Sequence, residues 1–281
     1  MVITKKNIAI KGPHRRPILL DMVYNNAVEY APLIIFCHGY KGFKDWGAWN
    51  LLAEAFATSG TAFLKFNFSH NGGTVKQPID FPDLEAFGLN NYTKELDDLN
   101  TVLNWVETTY AKHPNINTST IILIGHSRGG GIVTLKAAED FRVKKLVSLA
   151  GVSDFKSRFP KGTDLKTWKL EGVRFVLNGR TKQQMPHYYQ FYDNFMANES
   201  RLTIQTAVKK LQLPFLIIHG DQDTSVHLEE ALMLHTWCPN AYLAVLEGAN
   251  HVFGSQHPWL FDELPPYLQQ IHSKITHFIN N

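Results

Sequence analysis

Six continuous apolar runs recur along the chain with amphipathic stretches between them: LIIF at 33–36, TAFLKF at 61–66, IILI at 121–124, KLVSLA at 145–150, FLII at 215–218 and AYLAVL at 241–246. An unbroken apolar run offers no side to water, so each is expected as a strand buried on both faces. The intervening stretches, at about 47–58, 93–109, 128–139, 226–236 and 264–279, carry apolar residues at helical spacing and are expected as crossover helices. Together they predict an α/β fold with a doubly wound, mostly parallel sheet. Ahead of the first run, Ile8 to Ile10 and Ile18 to Tyr24 flank Gly12 and Pro13 and read as a hairpin.

Between the strand ending near Ala150 and the one starting near Pro214 lies a stretch too long for an ordinary crossover, rich in aromatic and basic residues, with patches such as MPHYYQFYDNF at 185–195. The expected organisation is a core of residues 1–152 and 213–281 with a helical cap insertion at 153–212. A chain of 281 residues, 44% hydrophobic, can fill one large core. The formal charge of +3 is spread over Lys and Arg scattered among Asp and Glu, with no run that would track a phosphate backbone, so nucleic acid is not an expected partner.

Cys37 and Cys238 lie outside any CxxC or Cys/His ligand spacing and read as reduced, packed thiols; no metal and no cofactor are expected. The start MVITKKNIAIKG lacks the long apolar stretch and small-residue cleavage site of a secretory signal, and no apolar run reaches the length of a membrane span. A cytoplasmic chain without a transmembrane segment is expected.

Residues 121–131 read IILIGHSRGGG: an apolar strand, then Gly125-His126-Ser127-Arg128-Gly129, then the helix-compatible IVTLKAAED. A serine on so sharp a strand-to-helix turn is forced into a strained backbone, and small residues two positions either side let strand and helix approach. The strain exposes the hydroxyl and sets it at a helix N-terminus, where the dipole favours developing negative charge. Ser127 is therefore the candidate nucleophile. Of thirteen histidines, His251 stands out by place, since Glu247-Gly248-Ala249-Asn250 forms a short loop that carries it back over the strand ends. His126 adjoins Ser127, but neighbouring side chains diverge there, so it reads as a packed support.

With GHSRGG, the segments FCHGYKGFKD at 36–45, FNFSHNGG at 66–73, LIIHGDQDTSV at 216–226 and EGANHVF at 247–253 appear in an order that resembles the α/β-hydrolase superfamily. Within it the chain resembles the feruloyl esterase, dienelactone hydrolase and monoacylglycerol lipase type branch. The resemblance implies ester, thioester or amide hydrolysis by an acyl-enzyme route, with His251 as base and Asp223 as the carboxylate that orients it. Asp221 is the nearer rival and reads as a turn cap; Asp154 is the fallback, because some members carry the acid after the preceding strand. It also implies an oxyanion hole from the backbone N–H groups of Arg128 and Tyr40. The chain departs from its relatives at Asn67 to Gly73, where many carry a charged Asp-x-Arg-Gly-like segment; His70 there is expected to face solvent or the pocket mouth.

The cap supplies more aromatic surface than its own packing needs, and His187, Tyr188, Phe191 and Tyr192 are the candidate pocket residues. Trp46 and Trp49 read as helix packing. The expected activity is hydrolysis of a small to medium, partly apolar or aromatic carboxylic ester as small-molecule substrate. Serine peptidase, thioesterase, a lyase or perhydrolase on the same scaffold, and a catalytically silent binding protein are the alternatives.

Overall fold

The computed structural model describes residues 1–281. Eight strands form one sheet: β1 (Val2–Ile10), β2 (Ile18–Asn25), β3 (Ala31–Cys37), β4 (Ala62–Asn67), β5 (Ile116–His126), β6 (Val143–Leu149), and, beyond a two-stranded ribbon of β7 (Val173–Leu177) and β8 (Gln184–Tyr188), β9 (Phe215–Gly220) and β10 (Tyr242–Leu246). Their order is β1-β2-β4-β3-β5-β6-β9-β10. The first two pair antiparallel, as the hairpin pattern requires, and every pair from β4 onward is parallel. This is the α/β-hydrolase fold in its doubly wound form.

The apolar runs are central strands because both of their faces are covered. In β3, Ile34 and Phe36 enter one layer while Leu33, Ile35 and Cys37 enter the other. Helices α1 (Trp49–Thr58), α2 (Leu84–Gly88), α3 (Tyr92–Tyr110) and α4 (Arg128–Glu139) precede the segment between β6 and β9. That segment holds α5 (Gly162–Glu171), α6 (Gln190–Ala197), α7 (Glu199–Leu202) and α8 (Ile204–Val208); α9 (Leu228–Trp237) and α10 (Pro266–Asn280) follow. Residues of α3, α4 and α9 share one apolar layer, and those of α1 and α10 the opposite one. No helix is long and apolar enough to cross a membrane.

Two sequence expectations change. The segment between β6 and β9 is not purely helical: VRFVL pairs antiparallel with QMPHY across the loop 178–183, because β-branched and aromatic residues beside a turn signal form a ribbon. Its last helix, α8, packs on α4, with Ile204, Ala207 and Val208 in the main apolar layer. His70, expected to face solvent or the pocket mouth, is instead buried, with Nδ1 hydrogen-bonded to the Ser69 hydroxyl at 2.8 Å.

One buried polar cluster fixes the loop after β3. Asp21 of β2 accepts hydrogen bonds from Lys44 Nζ at 2.8 Å and from Lys65 Nζ of β4, while Asp45 accepts from the same two ammonium groups at 2.6 and 2.5 Å. Lys44, Lys65 and Asp21 have almost no solvent exposure. Burial would raise the Asp45 carboxyl, but Lys65 and Lys44 hold it at about 2. Charges so far from water are tolerable only while paired. Replacing Asp21 with Ala leaves the two buried ammonium groups to share Asp45 alone, and removing one partner of a buried ion-pair cluster costs about 3–5 kcal/mol. Urea unfolding of Asp21→Ala should show that loss, and a loss below about 1 kcal/mol would contradict the structural role given to the cluster.

Candidate active site

Ser127 sits where β5 meets α4, with φ 56° and ψ −121°. A serine in this region is strained by roughly 1–3 kcal/mol, and surrounding bonds must hold it there. Ser127 N–H donates to the Leu149 carbonyl at 2.9 Å, and the Ser127 carbonyl accepts from Gly130 at 2.9 Å and Val152 at 3.3 Å. The flanking glycines are required by contact. A Cβ on Gly125 would lie 2.2 Å from the Gly129 carbonyl oxygen, and one on Gly129 would lie 2.4 Å from that of Cys37.

The loop after β9 places Asp223 within hydrogen-bond reach of His251. Asp223 Oδ2 accepts from His251 Nδ1 at 2.7 Å, and Oδ1 accepts from the N–H groups of Ser225 and Val226 at 2.8 and 2.9 Å. His219 lies 3.4 Å from Oδ2 on the inner side. Burial would raise the Asp223 carboxyl, but bonds from His219, His251 and Val226 hold it far below the usual carboxylate range. The rivals are engaged elsewhere: Asp221 accepts from Gly248 N–H at 2.7 Å, and Asp154 caps the turn at Lys156 and Ser157.

Two further histidines brace this arrangement. His126 Nε2 donates to the His251 carbonyl at 2.8 Å, clamping the late loop to the elbow; burial pushes its pKa down to about 3, so it is a neutral support. His38, which sequence reading did not single out, donates from Nδ1 to the Gly39 carbonyl at 2.9 Å and accepts the Phe68 N–H at 3.4 Å. Its only sequence signal is its place at the end of β3.

The backbone N–H groups of Tyr40 and Arg128 have no acceptor within the chain. A cavity of about 430 Å³ opens beside them, with Ser127 and His251 on its wall. A second lobe of about 230 Å³ shares Tyr40, Lys41, Ser127 and His251 with it, on the side of Trp46 and Trp49. Both tryptophans border the lobe, and Trp49 is otherwise buried against Phe36 and His126.

Of the four pocket candidates the cavity takes two. His187 and Phe191 line it, and Tyr40 Oη bonds His187 Nε2 at 2.7 Å. Tyr188 and Tyr192 do not. Strand alternation turns Tyr188 to the other face of β8, where its hydroxyl donates to Glu85 at 2.7 Å. Tyr192 is one step around α6 from the buried Phe191 and packs edge-on against Phe159. Sequence reading missed Tyr92, stacked on Phe155 at 3.8 Å between ring centres, because that contact joins α3 to the distant segment after β6.

The family model described as BD-FAE matches residues 20–238. An uncharacterised peptidase, YtmA of Bacillus subtilis, is 31% identical over 124 residues; these are 44% of this chain and 42% of that one, so the match spans less than half of this curated relative. Among solved structures, Est1E of Butyrivibrio proteoclasticus superposes with a TM-score of 0.68 at 20% identity, covering 98% of each chain, and is known also with ferulic acid bound. The esterase domain of a Rhodothermus marinus protein gives 0.64 at 17% identity, over 99% of this chain and 97% of that one.

Because its folded pKa is depressed, Asp223 contributes stability that is complete above its unfolded value of about 3.9 and is lost as pH falls toward the folded one. Wild type should therefore exceed Asp223→Asn in urea midpoint at pH 6, with the gap narrowing below about pH 4. A gap that stays constant from about pH 6 to 3 would contradict the assignment of these bonds to an ionised carboxylate.

Proposed function

The chain belongs to the BD-FAE family, and we propose that it is a serine hydrolase cleaving a small to medium, partly apolar or aromatic carboxylic ester through an acyl-enzyme intermediate. The observation that carries the reading is the convergence on one cavity wall of a strained serine, two unpaired backbone N–H groups and a histidine bonded at 2.7 Å to a buried carboxylate. Each part answers one demand of acyl transfer.

A serine hydroxyl is a poor nucleophile until a base takes its proton. With Nδ1–H bonded to Asp223, His251 presents Nε2 as its free acceptor. Ser127 Oγ attacks the ester carbonyl as its proton passes to Nε2, and the carbonyl oxygen, now carrying the negative charge, is held by Tyr40 and Arg128 N–H. Collapse expels the alcohol, which takes the proton from His251, and leaves the acyl group on Ser127. Water then enters, gives its proton to the same imidazole and attacks the acyl carbonyl. The acid departs and Oγ recovers its hydrogen. Asp223 keeps the imidazole in the right tautomer and stabilises its protonated form without itself taking the proton.

The aromatic lining suits a flat or apolar substrate half, of the size of the ferulic acid bound by Est1E. Peptidase activity at a free amino terminus would call for a carboxylate in the cavity, and the cavity wall has none. This favours an ester over such a peptide, although YtmA is described as a peptidase.

Ser127→Ala should lose fluorophosphonate labelling and p-nitrophenyl ester turnover by about 10⁴-fold or more with its folding intact, and Asp223→Asn should lose orders of magnitude. Combining the two should cost little beyond the larger single loss. Near-wild-type turnover by clean Ser127→Ala protein would overturn the reading.

A further inference from the structure

Ester hydrolysis requires no particular charge in the substrate cavity, yet this one is strongly one-sided. Lys41, Arg128, Arg158 and Arg174 all line it, and no carboxylate does. Two of the four are matched from behind the wall: Arg128 Nη1 bonds Glu95 at 3.2 Å, and Arg158 pairs with Glu230. The other two have no carboxylate partner. The Arg174 guanidinium stands over the Trp168 ring at 5.6 Å, while Lys41 Nζ reaches only the Leu177 carbonyl at 3.5 Å and the Tyr40 ring at 5.1 Å.

Arg128 is less satisfied than its ion pair implies. Its bond to Glu95 is the only one its guanidinium makes within the chain, although the side chain is mostly buried against the faces of Tyr40, Tyr92 and Phe191. Several N–H donors of this cavity-lining guanidinium are thus left without a partner in the chain. The cations converge: burial first, then the fields of Arg128, Arg174 and Lys41, push the neighbouring His187 down to about 3. His187 is therefore neutral and does not add to the charge. Partly desolvated cations with unused donors are costly to hold, and an anion between them relieves that cost.

We infer that the cavity selects esters in which the half bound there carries a carboxylate, seated between Arg128 and Arg174 with Lys41 at its edge. The guanidinium groups of Arg128 and Arg174 offer a carboxylate flat, multiply donating partners, and the rings around them hold the carbon frame. The inference rests on the hydrolase reading above. It adds a charge requirement that an apolar acyl pocket would not impose.

Two substrate pairs test it, one with the carboxylate in the acyl half and one with it in the leaving half: mono-(4-nitrophenyl) glutarate against its methyl ester, and 4-acetoxybenzoate against its methyl ester. The charged member of at least one pair should have the higher kcat/KM by at least about tenfold, the scale of one charge-assisted hydrogen bond. That ratio should shrink with added salt, collapse in Arg174→Gln and be partly kept in Arg174→Lys. Because Arg174 makes no ion pair in the fold, these variants should remain folded. Equal or reversed ratios in both pairs, or a ratio that survives Arg174→Gln, would overturn the inference while leaving hydrolysis of the neutral esters to support the hydrolase reading. Should no ester be turned over, the hydrolase reading fails instead. Calorimetry with 4-acetoxybenzoate then decides the charge claim: binding by wild type that is lost in Arg174→Gln supports it, and no binding overturns it.

Discussion

The approach of α4 to the ends of β5 and β3 is the constraint on which the rest of the site depends. Backbone meets backbone there, with no room for a side-chain carbon at Gly125 or Gly129, and Ser127 is left with a positive φ as the only way to join strand to helix. That contortion lifts the hydroxyl off the sheet, frees the Arg128 N–H and aligns the α4 dipole beneath the candidate reaction centre. The bonds from Ser127 to Leu149, Gly130 and Val152 offset the strain. A larger residue at Gly129 would push the helix away from Cys37 and move nucleophile and N–H donor together.

The other parts of the site lie on loops, and buried polar contacts take the place of regular structure in fixing them. The loop after β3 is tied to β2 and β4 by the Asp21, Lys44, Lys65 and Asp45 cluster, and its far end is held where the Ala48 N–H donates to Ser255 Oγ at 3.1 Å and the Gly47 N–H to His257 Nδ1 at 3.0 Å. The late loop is tied to the elbow by His126. Tyr40, Ser127 and His251, far apart in the chain, are thereby held by groups that are themselves immobilised, which electrostatic preorganisation demands. The Asn67 to Gly73 segment fits the same scheme without the charges common elsewhere: Asn67 Oδ1 accepts the Lys44 N–H at 2.6 Å.

The sheet was legible because a strand covered on both faces leaves an unbroken apolar run, and no crossover helix copies that pattern. The elbow was legible because backbone crowding restricts residue type locally. The carboxylate next to His251 was not decided by spacing, since Asp221 and Asp223 both follow β9 within one turn; only the direction each side chain takes separates a cap on Gly248 from a partner of His251. Pocket lining failed at Tyr188 and Tyr192 for a similar reason, because composition cannot tell which face of a short strand or helix turns inward. The charge of the cavity was legible only as the basic composition of the segment between β6 and β9, which does not say which cations reach the cavity. Lys41 and Arg174 are ordinary residues until the fold brings them to one wall and brings no carboxylate with them.

The central claim, that Ser127 attacks and that Tyr40 and Arg128 receive the resulting oxyanion, is open to direct view in a crystal structure of the protein after reaction with a small alkyl fluorophosphonate. The phosphorus should be bonded to Ser127 Oγ, with the phosphonyl oxygen about 2.7–3.1 Å from both N–H nitrogens, as a tetrahedral intermediate's oxygen would be. Phosphorus on any other residue, or an oxygen turned away from those two donors, would contradict it.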